Sequence, residues 1–327
     1  MYQTPHHSQD LRHLKFLVTG GAGFIGSNLV EYLLKYGAGK VRVLDNLSTG
    51  SFNNLREFEA NPAFEFIEGD IGDLKTCEQS CSEVDYVSHQ AALGSVPRSI
   101  IDPGTTNTVN IDGFLNILIA ARDQKVKRMV YAASSSTYGD SLILPKQEDL
   151  IGNPLSPYAV TKLVNELYAD VFRKTYQTDS IGLRYFNVFG PKQDPAAAYA
   201  AIIPLLVQAI INGQPPLIHG DGKQTRDFTF IENVVQANVK AMLYPSALPH
   251  SLYNVACGES ISLNQVWNLL KELTGADPGI QYGPVRKGDI HDSLADISRI
   301  QNDLGYHPDF SVSTGLKFTL DWTKNKH

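Results

Sequence analysis

KFLVTGGAGFIGSNLVEYLLKYG, residues 15–37, decides the fold. KFLVT is an apolar run of strand length, TGGAGFIG punctuates it with glycine, and the apolar residues from Phe24 onward recur at helical spacing. A strand that turns through glycine directly into a helix is the opening unit of a doubly wound sheet. The glycines have separate tasks in it: a tight turn at Gly20, a bare backbone near a diphosphate at Gly23, and close helix-to-strand packing at Gly26. The spacing is G-x-x-G-x-x-G, and its position between strand and helix gives it meaning. The diphosphate would sit at the helix N-terminus, where unpaired N–H groups and the helix dipole favour an anion. The expected ligand is an NAD-type dinucleotide.

Outward from this unit the same rhythm continues. KVRVLDN (40–46), FEFIEGD (64–70), VDYVSHQAA (84–92), RMVYAASSS (128–136) and SIGLRYFNVFG (180–190) each read as one strand, separated by amphipathic helical stretches. The fold class is therefore α/β, a Rossmann-type doubly wound parallel sheet with a smaller C-terminal α/β lobe for substrate. Asp45 ends the second strand nineteen residues past Gly26, where its carboxylate can accept from the adenosine ribose and repel a 2′-phosphate, favouring NAD over NADP. Asp70 and Ile71, closing the third strand, are placed beside the adenine.

After Gly190 the rhythm breaks into proline- and glycine-punctuated chain, so residues 1–190 read as the NAD-binding domain and 191–327 mainly as the substrate lobe. A helix from about Ile231 to Tyr244 and a strand in LYNVACG (252–258) imply that the chain returns to the first domain near 228–257. Residues 1–13, MYQTPHHSQDLRH, are polar and are expected to be mobile unless an oligomer orders them.

The chain has 327 residues, a net charge of -6 and no basic run, which argues against nucleic acid or an anionic membrane surface as partner. No apolar stretch is long enough to span a bilayer and no secretory pattern opens the chain, so a cytoplasmic location is expected. Cys77, Cys81 and Cys257 lack the spacing of a zinc site, and no metal is expected.

SPYAVTK places Tyr158 and Lys162 four residues apart, on one face of a helix. A neighbouring ammonium stabilises phenolate, so Tyr158 is expected to have a lowered pKa and to act as acid and base. Upstream, the serines 134–136 end a strand at the carboxyl edge where such sheets collect ligands, and a hydroxyl there can bond the reacting oxygen.

With the glycine loop, Asp45, the serines and the Tyr158–Lys162 pair in this order, the sequence resembles the extended short-chain dehydrogenase/reductase family nearly end to end. LDNLSTG, HQAALGSVPRSI, YAASSSTYGD, NPLSPYAVTK and LRYFNVFGPKQDP look like nucleotide-sugar 4-epimerases, especially those interconverting UDP-N-acetylglucosamine and UDP-N-acetylgalactosamine, with UDP-glucose and UDP-galactose as further substrates. The resemblance implies Ser134, Tyr158 and Lys162 as catalytic residues. It implies cofactor contacts from Gly20, Gly23, Phe24, Ile25, Gly26, Asp45, Asn46, Ser48, Gly50, Asp70, Ile71, Gln90, Ala91, Ala92, Tyr158, Lys162 and Tyr185. It places Ser95 and Ser134 to Ser136 (Ser134, Ser135, Ser136) beside the sugar, Asn187, Arg226 and Arg286 on the diphosphate and uridine, Asp289 near the ribose, and Ile218 and His219 by the uracil.

The family carries a residue of variable size near the sugar's second carbon. Ser293 falls there, and a small residue leaves room for an N-acetyl group. The helical stretches Thr105–Gln124 and Ser156–Gln177 match those through which the family forms homodimers. Two rival functions remain. A 4,6-dehydratase would need acids where Ser135 and Ser136 stand, and a non-catalytic NAD-sensing regulator would have no use for Tyr158 and Lys162.

Overall fold

The computed structural model describes residues 1–196, 200–285 and 292–326. Six parallel strands come from residues 15–185: β1 (Lys15–Thr19), β2 (Lys40–Asp45), β3 (Phe64–Glu68), β4 (Tyr86–His89), β5 (Arg128–Ser134) and β6 (Ser180–Tyr185). Short strands β7 (Val188–Phe189), β8 (Leu217–His219), β9 (Thr225–Arg226) and β10 (Thr229–Phe230) follow, then β11 (Leu252–Val255), β12 (Ile261–Ser262) and β13 (Gln281–Gly283). The main sheet runs β11-β6-β5-β4-β1-β2-β3. Strand order reverses between β1 and β4, which makes the crevice at their carboxyl ends the place where a doubly wound sheet receives a ligand.

The helices are α1 (Phe24–Lys35), α2 (Leu74–Cys81), α3 (Val96–Ile101), α4 (Pro103–Asn107), α5 (Gly113–Asp123), α6 (Pro157–Tyr176), α7 (Ile202–Ile211), α8 (Ile231–Leu243), α9 (Leu263–Thr274), α10 (Ser298–Leu304) and α11 (Val312–Lys326). Strand side chains alternate between two cores. Val18, Val43 and Val130 join the core that includes α1 and α8, whereas their neighbours Leu17, Leu44 and Met129 join the one that includes α2, α5 and α6. The first core continues into Leu206, Trp267 and Leu316, so the smaller lobe shares its interior with one face of the sheet. The returning segment supplies both α8 and the edge strand β11.

Local chemistry fixes several boundaries. Ser156 caps α6 by accepting from Ala159 N at 3.1 Å, Pro157 occupies the first turn, and Gln177 ends the helix in the left-handed conformation. Between α4 and α5, residues Thr108–Asp112 form one π turn, so the stretch expected as a single helix over 105–124 carries a bulge.

Two expectations fail here. SIGLRYFNVFG is two strands: Asn187 takes a φ of +35°, the chain leaves the main sheet after Tyr185, and β7 pairs with β10 instead. Residues 1–13 are docked and contribute core, since Tyr2 is fully buried and Leu11 nearly so. A single aromatic anchor inside a polar run gives no periodic signal, which is why the segment reads as mobile. Among the described residues no helix is long and apolar enough to cross a membrane.

Candidate functional site

The glycine loop is shaped by close approach. Gly20 has φ +66°, and a Cβ there would stand 2.6 Å from Ala91 N, so the loop lies against the end of β4. A Cβ on Gly26 would stand 2.2 Å from Gly20 O, which requires bare backbone where α1 packs on its own entry turn. Gly23 caps α1 without any side-chain bond and no acid occupies the first turn, so the leading N–H groups meet no side chain. Asp45, largely buried, accepts from Ala22 N at 2.9 Å and Leu47 N at 2.8 Å, while burial pushes its pKa up. Each oxygen keeps a further lone pair for a ribose hydroxyl.

Around this centre, a Cβ on Gly50 would meet Ala22 C at 2.8 Å, so the loop carrying Ser48 lies on the glycine turn. Asn46 donates from Nδ2 to Asp70 Oδ2 at 2.7 Å and accepts at Oδ1 from Ser48 N at 3.1 Å. Phe24 and Ile25 open α1, and Ala91 and Ala92 follow β4, all partly buried. An uncapped helix start, a glycine turn without room for side chains and an acid at the end of β2 fit an NAD-type dinucleotide.

Three residues expected at this site use their side chains elsewhere. Ile71 is buried against Gly113, where a Cβ would be 2.6 Å from its Cδ1. Gln90 and Tyr185 enter a network with Asn238: Gln90 Nε2 donates to its Oδ1 at 3.2 Å, and Asn238 Nδ2 donates to the Tyr185 hydroxyl at 2.8 Å.

Ser134, the last residue of β5, accepts from Ser136 N at 3.1 Å, and its hydroxyl lies near enough to the Tyr158 phenol to pull that pKa down. Lys162 is buried, donates from Nζ to Ala132 O at 2.8 Å, and lies 5.9 Å from the Tyr158 ring centroid. The expected drop in the Tyr158 pKa is absent. Burial raises it and Ser134 only partly offsets this, because the ammonium is turned to a carbonyl and is itself desolvated. Burial lowers Lys162 to about 8, with Glu166 opposing.

Two residues here escape a sequence reading. His89, buried at the end of β4, shares a 2.8 Å bond between Nδ1 and Thr19 Oγ1, and burial, aided by the Lys162 charge, holds its pKa at about 3. It stays neutral, so Lys162 is not crowded by a second cation. Asn110, in the π turn, accepts from Leu93 N at 2.8 Å and donates to Thr161 Oγ1 at 3.1 Å, fixing the first turns of α6. The polar letter inside the strand VDYVSHQAA signals His89, whereas only the π turn signals Asn110.

The opposite wall is assembled from distant segments. Ser135 and Ser136 lie in a turn after β5, and Ser136 Oγ is buried without a partner, as a hydroxyl awaiting a ligand would be. Ser95 is committed to capping α3, accepting from Arg98 N at 3.2 Å. Asn187 donates from Nδ2 to Asp227 O at 3.1 Å, Arg226 donates to Thr225 O at 2.8 Å, and Ser293 N donates to the same Thr225 O at 3.2 Å. Asp227 is the unforeseen centre: fully buried, it accepts from Cys257 N at 2.8 Å, Gly258 N at 3.0 Å and Ala295 N at 3.3 Å. Burial lifts its pKa to about 7.

His219 lies on a cavity of about 860 Å³ with Asp221, Gln224, Asn264 and Tyr282. Ile218 does not line it. Its side chain is fully buried in the core, because alternate residues of β8 face opposite ways. Arg286 and Asp289 lie outside the described residues. The structure thus brings Ser134, Tyr158 and Lys162 together and sets the His219 cavity apart from them, with no lining residue in common.

The profile of the NAD dependent epimerase/dehydratase family matches residues 16–256. A UDP-glucose 4-epimerase from Mycolicibacterium smegmatis is 36% identical over 315 residues, covering 96% of this chain and 99% of the relative. Among solved structures, a UDP-N-acetylglucosamine 4-epimerase from Methanobrevibacter ruminantium, in complex with UDP-N-acetylmuramic acid, is 37% identical with a TM-score of 0.90, covering 96% of this chain and 99% of that one. A dTDP-glucose 4,6-dehydratase from Streptomyces venezuelae with NAD bound is 30% identical with a TM-score of 0.87, covering 95% and 97%.

Proposed function

The chain belongs to the NAD dependent epimerase/dehydratase family, and on that premise we propose a UDP-sugar 4-epimerase that holds NAD and interconverts UDP-N-acetylglucosamine with UDP-N-acetylgalactosamine. UDP-glucose and UDP-galactose are further substrates of the same site. The observation that carries this reading is the Ser134–Tyr158–Lys162 group at the carboxyl edge of β5, followed by Ser135 and Ser136 where a dehydratase would need acids.

When bound, the nicotinamide would accept the hydride of carbon 4 and give it back. Tyr158 removes the proton of the 4-hydroxyl as the hydride leaves carbon 4, which gives a 4-keto sugar, and returns the proton as the hydride comes back to the other face of the ketone. Ser134 donates to the reacting oxygen and keeps Tyr158 directed at it. Lys162, buried and fixed on Ala132 O, positions the ribose hydroxyls near Tyr158 and provides the charge that favours phenolate once they are in place. Asn187, Arg226 and the His219 cavity retain the nucleotide diphosphate while the sugar is released to turn. Arginine suits that task because its fork pairs with diphosphate oxygens.

Ser293 supports the N-acetyl preference, because its backbone bond to Thr225 O sets this small residue beside Arg226 on β9. Pairing of two copies is supported by Val160, Leu167 and Val171, which recur along α6 at helical spacing and are exposed. The test is turnover of UDP-N-acetylglucosamine and UDP-glucose by purified protein, with nicotinamide absorbance followed in parallel. Product with no net rise in reduced nicotinamide is expected. A steady rise would identify a dehydrogenase, a 4-keto-6-deoxy product a dehydratase, and absence of turnover a sensor.

A further inference from the structure

Residues 1–9 precede the part of the chain matched by the family profile and are built into the molecule with unusual completeness. Tyr2 is fully buried. Its backbone N–H donates to Glu232 Oε1 at 2.8 Å, its hydroxyl donates to Asn28 Oδ1 at 2.9 Å, and its carbonyl accepts from the Tyr36 hydroxyl at 2.9 Å. The ring meets Tyr32 edge-on at 5.5 Å. Four residues on, His6 stacks on the other side of the cluster, with its ring 5.5 Å from Tyr32 and its N–H on the Tyr32 hydroxyl at 2.7 Å. Gln9 then donates to Leu243 O at 2.7 Å. The segment therefore runs from the first turn of α8, at Glu232, to its last residue, Leu243, and is fastened throughout to α1.

What Tyr2 touches matters more than how deeply it lies. Asn28, its hydroxyl's acceptor, is itself fully buried, and its amide bonds Phe24 O at 2.9 Å, the first residue after the glycine turn, and Pro191 O at 3.1 Å, where the chain leaves for the smaller lobe. Glu232, the other partner, stands where the chain returns from that lobe into α8. Tyr2 thus links Glu232 through its backbone and, through its hydroxyl on Asn28, the first turn of the helix expected to hold the diphosphate and the exit toward the smaller lobe.

We propose that residues 1–9 are a strap whose anchor, Tyr2, is a positioning residue for the dinucleotide: it locks α1 to the interlobe crossings and thereby slows cofactor release. This rests on the reading of the glycine loop as an NAD site. An enzyme that returns each hydride to the same sugar gains from keeping its cofactor in place, and α1 is the element through which a distant contact can act on the diphosphate.

The experiment is exchange of bound NAD for isotopically labelled NAD in the purified full chain, comparing wild type, Tyr2→Phe and Tyr2→Ala, with melting midpoints of the same samples. Tyr2→Ala loses the buried ring as well as the hydroxyl's bond and is expected to exchange at least about tenfold faster. Tyr2→Phe keeps the ring and loses only the bond to Asn28, so it falls between the two and carries the test if Tyr2→Ala does not fold. Exchange within about twofold of wild type in both variants overturns the proposal even if their melting midpoints drop, since that is the mark of a merely structural anchor. Wild-type protein that retains no NAD overturns the site reading itself, and the strap's role with it.

Discussion

The two walls of the candidate site are built by opposite means. On the cofactor side the constraint is steric and local: Gly20, Gly23 and Gly26 lie within one turn of chain, and a single methyl at Gly26 would come within 2.2 Å of Gly20 O. On the substrate side it is polar and long-range, because one carboxylate, Asp227, ties together backbone from residues 257, 258 and 295, while its own carbonyl receives Asn187. A steric wall tolerates nothing added, and a hydrogen-bonded wall tolerates nothing removed. Tyr158, beside Ser134, stands between them.

The largest effect is therefore expected where the walls meet. Tyr158→Phe should reduce turnover by roughly 10²- to 10⁴-fold, the usual worth of a positioned acid-base group, while UDP-sugar binding by calorimetry stays nearly unchanged. Turnover like that of wild type would dissolve the assignment, and lost binding would mean that the phenol belongs to the substrate wall.

The comparison itself can be broken by one change on each side. Gly26→Ala should destabilise the chain by about 3 kcal/mol and abolish NAD retention, since neither α1 nor the turn can withdraw from backbone. Asp227→Ala should cost about 2 kcal/mol by leaving buried N–H groups unpaired, and should weaken UDP-sugar binding while NAD retention persists. Loss of both ligands in both variants would show that the walls are one unit. Asp227 also adds a pH signature. Its folded pKa, about 7, lies above the ordinary 3.8, so folded protein holds a proton that the unfolded chain has released. That contribution is present below the unfolded value and fades as pH rises through 7, so urea titrations should show a wider gap between wild type and Asp227→Ala at about pH 5 than at about pH 8.

The same contrast explains what the sequence makes legible. The strand-turn-helix unit at 15–37, the place of Asp45 at the end of β2 and the sharing of α6 by Tyr158 and Lys162 depend on neighbours in the chain, and these positions are as expected. Ile218 and His219 depend on the parity of a three-residue strand, too short to reveal which residue faces the core. Asp227 in TRDF looks like any turn acid until the distant N–H groups of Cys257, Gly258 and Ala295 close on it. The Tyr158 pKa depends on where the Lys162 ammonium points, and Tyr2 on a cluster formed with α1 and α8; neither direction nor burial is written in spacing. The break after Tyr185 likewise follows from the positive φ of Asn187, which the apolar run around it conceals.

The smallest expected effect concerns selectivity along the substrate wall. Ser293 is partly buried, and its N–H is fixed on Thr225 O, so a larger side chain there cannot swing away with its backbone. Ser293→Tyr should lower kcat/KM for UDP-N-acetylglucosamine roughly tenfold more than for UDP-glucose, because only the first carries a group large enough to collide. Equal losses on both substrates would place Ser293 away from the second carbon, and the N-acetyl preference would then have to reside in residues bound to the wall by Asp227.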